Sequence, residues 1–319
     1  MRFGSYFITL MTIFAFVSDH ARAQSMTPVE DNREQLVEMA LQGTVSSPTL
    51  GSNYRVTATG DVESVPEIGG IVYNARVGTN AVNLIANHVE PAVSIRNGAR
   101  NSPENRALNV LSTIGAPVKV ISGSAKGAKG RVIGKHGGAE HIMVDFKDGT
   151  LEKLVEADKF QVRASGQGMK FTNVKDVRVL NIHPDLVDAL TERGMGVTED
   201  GKLRVPVALF VPARIMGSGL GRDNAYTGDY DIQLFDDAIV EEYGLDKLRF
   251  GDLVAIVNAD TTFGRIYKTG AITIGVVSHS ISRSAGHGPG VASIFTSTNG
   301  NIEPYQDEDA NLNSLLNIR

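Results

Sequence analysis

The sequence lacks cysteine and tryptophan and has few aromatic residues of any kind. Phe, Trp and Tyr together make up 6% of its 319 residues. Without cysteine the chain forms no disulfide, no thiolate metal site and no cysteine nucleophile. Any metal must therefore be held by His, Asp, Glu or backbone oxygen. Without tryptophan, the chain has little material for the exposed aromatic platforms on which carbohydrate-binding modules usually rely.

Positive charge is also scarce relative to negative charge. The chain has 31 Lys and Arg residues against 36 Asp and Glu residues, which gives a formal net charge of -5. A general nucleic-acid-binding protein needs a broad basic surface to contact phosphates. We therefore expect a small-molecule substrate or ligand and no nucleic-acid partner.

Long apolar runs are absent except at the start of the chain. Met1 and Arg2 precede an apolar run over residues 3–17, and Ala21 and Ala23 fit a signal-peptidase site. This layout predicts a signal peptide over residues 1–23 and an exported protein, periplasmic or secreted. The alternative, a membrane anchor, is disfavoured because the run is shorter than the roughly 20 residues that a spanning helix needs. We expect no membrane association after cleavage.

Glycine, by contrast, is abundant, with 34 residues, and short β-branched runs lie between the glycines. This pattern predicts a mainly β protein, a β-rich α+β fold. Helical spacing of apolar residues over 24–45 predicts a helix that stops at Gly43. We predict an N-terminal β-rich domain (24–115), a small barrel (116–165) and a C-terminal β-barrel domain (166–319).

Residues 116–146 resemble the KOW segment of small SH3-like barrels. Two apolar strands flank a glycine-rich turn with a basic tip formed by Lys126, Lys129, Arg131 and Lys135. In ribosomal and transcription proteins such segments contact RNA. Since the chain as a whole is acidic, we interpret this unit as a structural barrel.

The C-terminal half is also rich in strand-like runs. Residues 202–213, 250–257 and 271–277 predict strands, whereas 185–193 and 239–248 predict a helix and a helix or helical turn. The segment from Arg249 to Asp252 resembles the glycine-aspartate turn of cradle-loop barrels, in which the carboxylate accepts backbone N–H bonds. We therefore predict a cradle-loop-like C-terminal barrel with a structural role for Asp252.

Histidines among small residues mark the first candidate site. His279 follows an apolar strand, and His287 lies between glycines in the segment 286–290. Histidine is the commonest metal ligand and titrates near neutral pH. His88 and Glu90 would share one face of an extended segment. We predict His88 and His279 as metal ligands, Glu90 as a ligand-binding residue and His287 as a catalytic residue.

Paired carboxylates and a glycine-rich loop add further candidates. Asp229 and Asp231 would share a face if extended, which suits acid/base catalysis or cation binding, and we predict both as catalytic. A solvated turn is the alternative for this pair. The loop with Gly217, Ser218 and Gly219 follows a strand, so its amides are predicted to bind an anionic ligand.

Several segments, taken in order, resemble a bacterial and archaeal family catalogued as a domain of unknown function in N- and C-terminal parts. These segments are 69–78, with Asn74 and Arg76, and 88–91, 125–138, 216–221, 228–233, 275–279 and 286–290. The resemblance implies β-barrel structure and the location of a site, to which Asn74 and Arg76 are assigned as ligand-binding residues. It implies no reaction.

Two hypotheses for function follow. The first is a metal-dependent or acid/base hydrolase of a small polar substrate, with zinc, manganese or iron as the possible cofactor. The second is a non-enzymatic, homo-oligomeric protein that binds an anion through its glycine loops. Convergence of His88, Asp229 and His287 in space would favour the hydrolase.

Overall fold

A computed structural model describes residues 26–219 and 224–319 of the chain. The predicted signal peptide, residues 1–23, and the last residues of the glycine loop at 216–221 lie outside these ranges. Within them, no helix has the length and apolar character needed to cross a membrane.

Strands dominate the first half of the chain. In order, its strands and helix are β1 (Met39–Val45), β2 (Arg55–Val56), β3 (Val62–Glu63), β4 (Ile71–Val72), β5 (Ala92–Arg96), α1 (Pro103–Leu111), β6 (Pro117–Val120), β7 (Lys129–His136), β8 (His141–Phe146) and β9 (Lys159–Ala164).

The second half adds further strands and three helices within the described residues. These are β10 (Arg178–Val179), α2 (Pro184–Glu192), β11 (Gly196–Val197), β12 (Leu203–Val207), β13 (Leu209–Pro212), α3 (Asp237–Tyr243), β14 (Leu253–Asp260), β15 (Ile266–Val277), β16 (Val291–Ser297), β17 (Ile302–Gln306) and α4 (Leu312–Leu316).

Six strands of the first half close into a barrel, which confirms the mainly β prediction. Their order is β1-β9-β6-β7-β8-β5, and β5 returns to β1 through the pairs Thr44↔Arg96 and Val45↔Ile95. The KOW-like segment supplies β6, β7 and β8. Because β1 and β5 complete the wall, the predicted domain boundary at 115/116 runs through the barrel. Residues 24–115 and 116–165 therefore contribute to one folded unit.

The predicted helix over residues 24–45 is wrong. A 3-10 helix spans Arg33–Gln35, and residues Met39–Val45 form β1. β1 pairs with β9 over six residues, from Met39↔Ala164 to Thr44↔Lys159. These long-range backbone bonds override the local helical spacing. Gly43, expected to end a helix, instead lets β1 lie close against the side chain of Ile95.

The second half contains a five-stranded sheet of order β10-β16-β15-β14-β13 and a three-stranded sheet of order β11-β12-β17. β13 pairs with β14 in parallel, whereas β14, β15 and β16 are antiparallel neighbours. The strands and helices predicted here are confirmed. Asp252 also makes the predicted turn, since its Oδ2 accepts the backbone N–H of Arg249 at 2.8 Å.

One large hydrophobic core joins the two halves. It includes Phe160 and Val162 of the barrel together with Ile274 and Phe295 of the five-stranded sheet, all fully buried. β9 shows how the sequence directs this burial, because its side chains alternate between exposed and buried. Shared burial fixes the barrel against the sheet and hence the loops at their junction.

A buried ion pair ties the barrel to the segment after β4. Asp145 accepts from Arg76 Nε at 2.7 Å and from the backbone N–H of Val77 at 3.1 Å. Removing one partner leaves the other charge buried and unpaired. We expect Asp145→Ala to lower the free energy of unfolding by roughly 3–5 kcal/mol, measured by urea denaturation.

The matched control is Glu38→Ala, which removes the carboxylate of an exposed pair with Arg163. Exposed pairs contribute little to stability, so this variant should unfold almost as the wild type does. Equal destabilisation by the two substitutions would contradict the role assigned to Asp145.

Candidate metal centre

Two loops from different halves of the chain pair with each other at the junction of the barrel and the sheet. The backbone N–H of His88 donates to Ile281 O at 3.1 Å, and that of Ser280 donates to Val89 O at 2.9 Å. This pairing brings the imidazole of His88 to a centroid distance of 5.1 Å from that of His279. The loop after β4 thus meets the loop after β15.

The end of β7 brings a further histidine to the same place. His136 is the last residue of β7, and its ring centroid lies 4.3 Å from that of His279. The next residue, Gly137, donates its backbone N–H to Asp229 Oδ1 at 2.7 Å. Asp231 forms an antiparallel bridge with Gly290, which draws the segment carrying both aspartates against the loop before β16.

The side chains form two groups of three. The inner trio is His136, Asp229 and His279, and the outer trio is His88, Asp231 and His287. Within each trio, one nitrogen or oxygen atom from every residue lies within 4.8 Å of the others.

The two trios differ in burial. The inner trio is buried, whereas the side chain of His287 in the outer trio is 38% exposed and that of His88 is 14% exposed. Solvent therefore reaches the centre from the outer trio.

The inner trio holds two polar atoms that face each other without a hydrogen bond. Asp229 Oδ2 and His279 Nε2 lie 2.5 Å apart, yet in the described part of the chain neither has a partner of hydrogen-bonding geometry. His279 Nδ1 is 3.0 Å from Ser280 O, which can only accept. Nδ1 therefore carries a proton, and in the neutral ring Nε2 presents a lone pair toward the carboxylate.

A buried carboxylate orients the other inner histidine. His136 Nδ1 donates to Glu90 Oε1 at 2.7 Å, which leaves Nε2 of the neutral ring as its lone-pair nitrogen. Glu90 also contacts His141 Nδ1 at 2.9 Å and accepts the backbone N–H of Gly69 at 2.8 Å. A metal-binding histidine usually donates its other ring N–H to a carboxylate or a backbone carbonyl. Both inner histidines make such a bond, His136 to Glu90 and His279 to Ser280 O.

Gly290 leaves space beside these atoms. A Cβ added at this position would overlap Asp229 Oδ2 and the imidazole of His279. The glycine-rich segment 286–290 therefore lines the inner trio with backbone rather than with a side chain. This requirement explains the absence of a side chain at position 290.

The charges in the centre depend strongly on one another. Burial by itself lowers the pKa of His279, but the carboxylates of Asp229 and Asp231 outweigh it and raise this pKa well above its usual value. Burial by itself raises the pKa of both aspartates, but contacts with the histidines lower it. Burial lowers the pKa of His88 to about 4, so this ring is neutral at neutral pH. The centre therefore attracts cations to its carboxylates.

The structure brings together five of the residues that the sequence singled out, namely His88, Asp229, Asp231, His279 and His287. The predicted extended segment with His88 and Glu90 on one face is wrong, because His88 has a φ of 58°. Glu90 instead lies behind His136. His88 therefore belongs to the outer trio, whereas Glu90 contacts a histidine of the inner trio.

The remaining predicted ligand-binding residues lie elsewhere or make other contacts. Asn74 is exposed on the bend after β4, and Arg76 is engaged by Asp145. The backbone N–H of Gly217 donates to Asp231 O at 2.8 Å, and that of Ser218 donates to Gly286 O at 2.6 Å. These two amides hold loops together and do not face a ligand. Gly219, next in the loop, lies close to Asp229 O.

Sequence reasoning missed His136 and wrongly placed Lys135 at the basic tip of a turn, whereas it lies in β7. A signal for His136 was present, since Gly137 and Gly138 follow it and Gly134 lies two positions before it. Lys135 is fully buried, and its Nζ donates to Asn181 Oδ1 at 2.9 Å and to Tyr226 O at 2.7 Å. The bond to Tyr226 positions the segment that leads to Asp229. Nothing in the local sequence indicates this burial.

Comparisons with known proteins agree with this architecture. Residues 54–188 match the N-terminal domain, and residues 194–316 the C-terminal domain, of a family described as a domain of unknown function, DUF4438. No curated protein matches the chain. The crystal structure of a protein called TM1086 is similar, with a TM-score of 0.82 and 42% sequence identity over 89% of this chain and 97% of that one. The resemblance found in the sequence is thus confirmed, and the chain belongs to the DUF4438 family.

Proposed function

We propose that the inner trio binds a divalent cation and that the protein is a metal-dependent hydrolase of a small polar substrate. The observation that supports this proposal is the convergence of three buried donor atoms, from His136, Asp229 and His279, within 4.8 Å of one another, with Asp229 Oδ2 and His279 Nε2 only 2.5 Å apart. This close pair needs a positive charge, either a proton on His279, whose pKa the two aspartates raise, or a metal ion. A divalent cation can displace that proton and bind His136, Asp229 and His279 together.

The chemistry of the donors limits the choice of metal. Two imidazoles and one carboxylate suit zinc, manganese or iron, and the chain has no thiolate to select a softer ion. Three protein ligands leave coordination positions for water and substrate, as in catalytic rather than closed structural sites. The inner trio thus matches the ligand count of a catalytic centre.

A bound cation would supply Lewis acidity and lower the pKa of a water molecule. In a centre with this one ion, the carboxylate of Asp231, on the solvent side, would accept the proton of that water. The oxygen of the water would bond to the electrophilic atom of the substrate as the bond to the leaving group breaks, and the leaving group would take the proton from Asp231. His287 lies where the substrate would enter.

Anion binding without catalysis is less well supported. That hypothesis needs free backbone amides in the glycine loops, but those of Gly137, Gly217 and Ser218 are bonded to protein acceptors. The centre also concentrates carboxylates, which repel an anion in the absence of a cation. Homo-oligomerisation and export stay predictions from the sequence.

Metal analysis of the purified protein by plasma mass spectrometry tests the centre. We expect at least one zinc, manganese or iron ion per chain in the wild type and loss of the inner ion in His279→Ala, which removes a ligand. His183→Ala is the matched control, because His183 is also buried but caps α2. This control should keep the metal content of the wild type. Metal-free wild type after growth and dialysis with these ions would refute the proposal.

The same proteins test the reaction. Metal-loaded wild type and the His183→Ala control should hydrolyse at least one member of a panel of small esters, amides and phosphoesters. His279→Ala should lose that activity together with its metal. Hydrolysis that is equal in His279→Ala and in wild type would separate the activity from this centre.

Gly290→Ala tests the space for the ion without removing a ligand. The added methyl group would occupy the position beside Asp229 and His279, so we expect metal affinity to fall at least tenfold. Isothermal titration with zinc measures the change, and circular dichroism checks the fold. An affinity equal to that of the wild type would mean that the ion does not bind beside Gly290.

Glu90→Gln tests whether the hydrogen bond from His136 Nδ1 to Glu90 contributes to metal affinity. The substitution keeps the shape but weakens the acceptor for His136 Nδ1, and losses of roughly 10–100-fold in metal affinity are typical for such partners. Zinc titration in competition with a chromophoric chelator measures the loss of metal affinity. Asp158→Asn serves as the comparison, because Asp158 is also buried but accepts from Ser122 Oγ and from the backbone N–H of Val155. If both variants bind zinc equally well, Glu90 has no orienting role.

A further inference from the structure

The carboxylate of Asp231 faces both trios. Its Oδ1 lies 3.5 Å from His279 Nε2 of the inner trio. Its Oδ2 lies 3.0 Å from His287 Nδ1 and 3.5 Å from His88 Nε2 of the outer trio, and the backbone N–H of Gly288 approaches it at 3.3 Å. One carboxylate thus directs one oxygen to each group.

We propose that the outer trio binds a second divalent cation and that Asp231 bridges the two ions. This inference rests on the proposed function, since it needs the first ion in the inner trio. The outer trio repeats the donors of the inner one, two imidazoles and a carboxylate. A carboxylate that reaches two such groups is suited to a pair of ions roughly 3.5–4 Å apart, as in two-metal hydrolases.

The close contact between the two outer histidines supports a cation bound between their rings and Asp231. His88 Nε2 and His287 Nδ1 lie 3.1 Å apart, and both are within 3.5 Å of Asp231 Oδ2. A single proton shared between the rings satisfies only one of these contacts at a time. A cation would engage both nitrogens and the oxygen together, and the exposed side of His287 gives it a path of entry.

A second ion also narrows the substrate class. Two divalent cations more than neutralise Asp229 and Asp231, so the open side of the centre becomes positive and favours an anionic group. Two-ion centres stabilise the attacking and leaving oxygens of a phosphoryl group. We therefore assign a small phosphoester as the substrate class. Because Asp231 would then bind both ions, it would no longer accept the proton as in the one-ion centre. The proton of the attacking water would pass to solvent near His287, and the leaving group would take a proton from solvent.

The two sites should differ in affinity. The inner trio is buried and oriented by Glu90 and Ser280 O, whereas the outer trio is open to water. The inner ion should bind first on titration, and the outer ion should follow. The outer ion is the one lost on brief chelation.

Electron paramagnetic resonance during titration of the metal-free, full-length protein with Mn²⁺ tests the proposal without relying on activity. We expect two Mn²⁺ per chain in the wild type, with an exchange-coupled signal once both sites fill. His287→Ala should bind one Mn²⁺ with an uncoupled six-line signal, and so should His88→Ala. The control His183→Ala should behave as the wild type does.

The outcomes separate the two proposals. One Mn²⁺ per chain in the wild type, lost in His279→Ala, would overturn the second ion and leave the first. No bound Mn²⁺, zinc or iron would overturn both. Two ions in both the wild type and the two outer-trio variants would place the second ion elsewhere and overturn the bridging role of Asp231. Circular dichroism of each variant confirms that the fold is intact.

Discussion

Three carboxylates in the interior, Glu90, Asp229 and Asp231, need positive charge nearby, and the organisation of the centre follows from that need. Burying an unpaired carboxylate costs several kcal/mol, and the exposed fraction of each of these residues is at most 6%. The chain meets the need with imidazoles rather than with Lys or Arg. Imidazoles can release their protons to solvent when they bind a metal ion, so this choice favours metal binding over permanent ion pairing.

The position of the centre links the two domains of the family. His88 and His136 belong to the region of the N-terminal domain, whereas Asp229, Asp231, His279 and His287 belong to the C-terminal one. The shared hydrophobic core holds these regions together before any ion binds. A bound ion would therefore find its ligands largely in place and would stabilise the folded state over the unfolded one.

Local sequence patterns predicted the elements of this protein that depend on interactions between residues close together in the chain. The strand over 271–277, the helix over 185–193 and the turn at Asp252 were predicted from the sequence, because each is set by residues a few positions apart. His279, His287, Asp229 and Asp231 were identified because polar side chains among glycines rarely serve packing alone. The sequence thus predicted most side chains of the centre.

What the sequence did not predict depends on residues far apart in the chain. β1 is a strand because β9, about 120 positions later, supplies its hydrogen bonds. His136 joins Asp229 through the next residue, Gly137, which lies 92 positions from Asp229 in the chain and donates its backbone N–H to it. The role of Glu90 follows from the left-handed backbone at His88, which no pairwise spacing reveals. Grouping into two trios is therefore a property of the tertiary fold alone.

Anomalous diffraction at a metal absorption edge, from crystals of the full chain grown with zinc or manganese, tests the central claim most directly. We expect a strong peak about 2.0–2.2 Å from a carboxylate oxygen of Asp229 and from the imidazoles of His136 and His279. A peak confined to surface residues, with Asp229 and His279 still in direct contact, would contradict it. The centre would then be a buried ion pair that shares a proton and holds no metal.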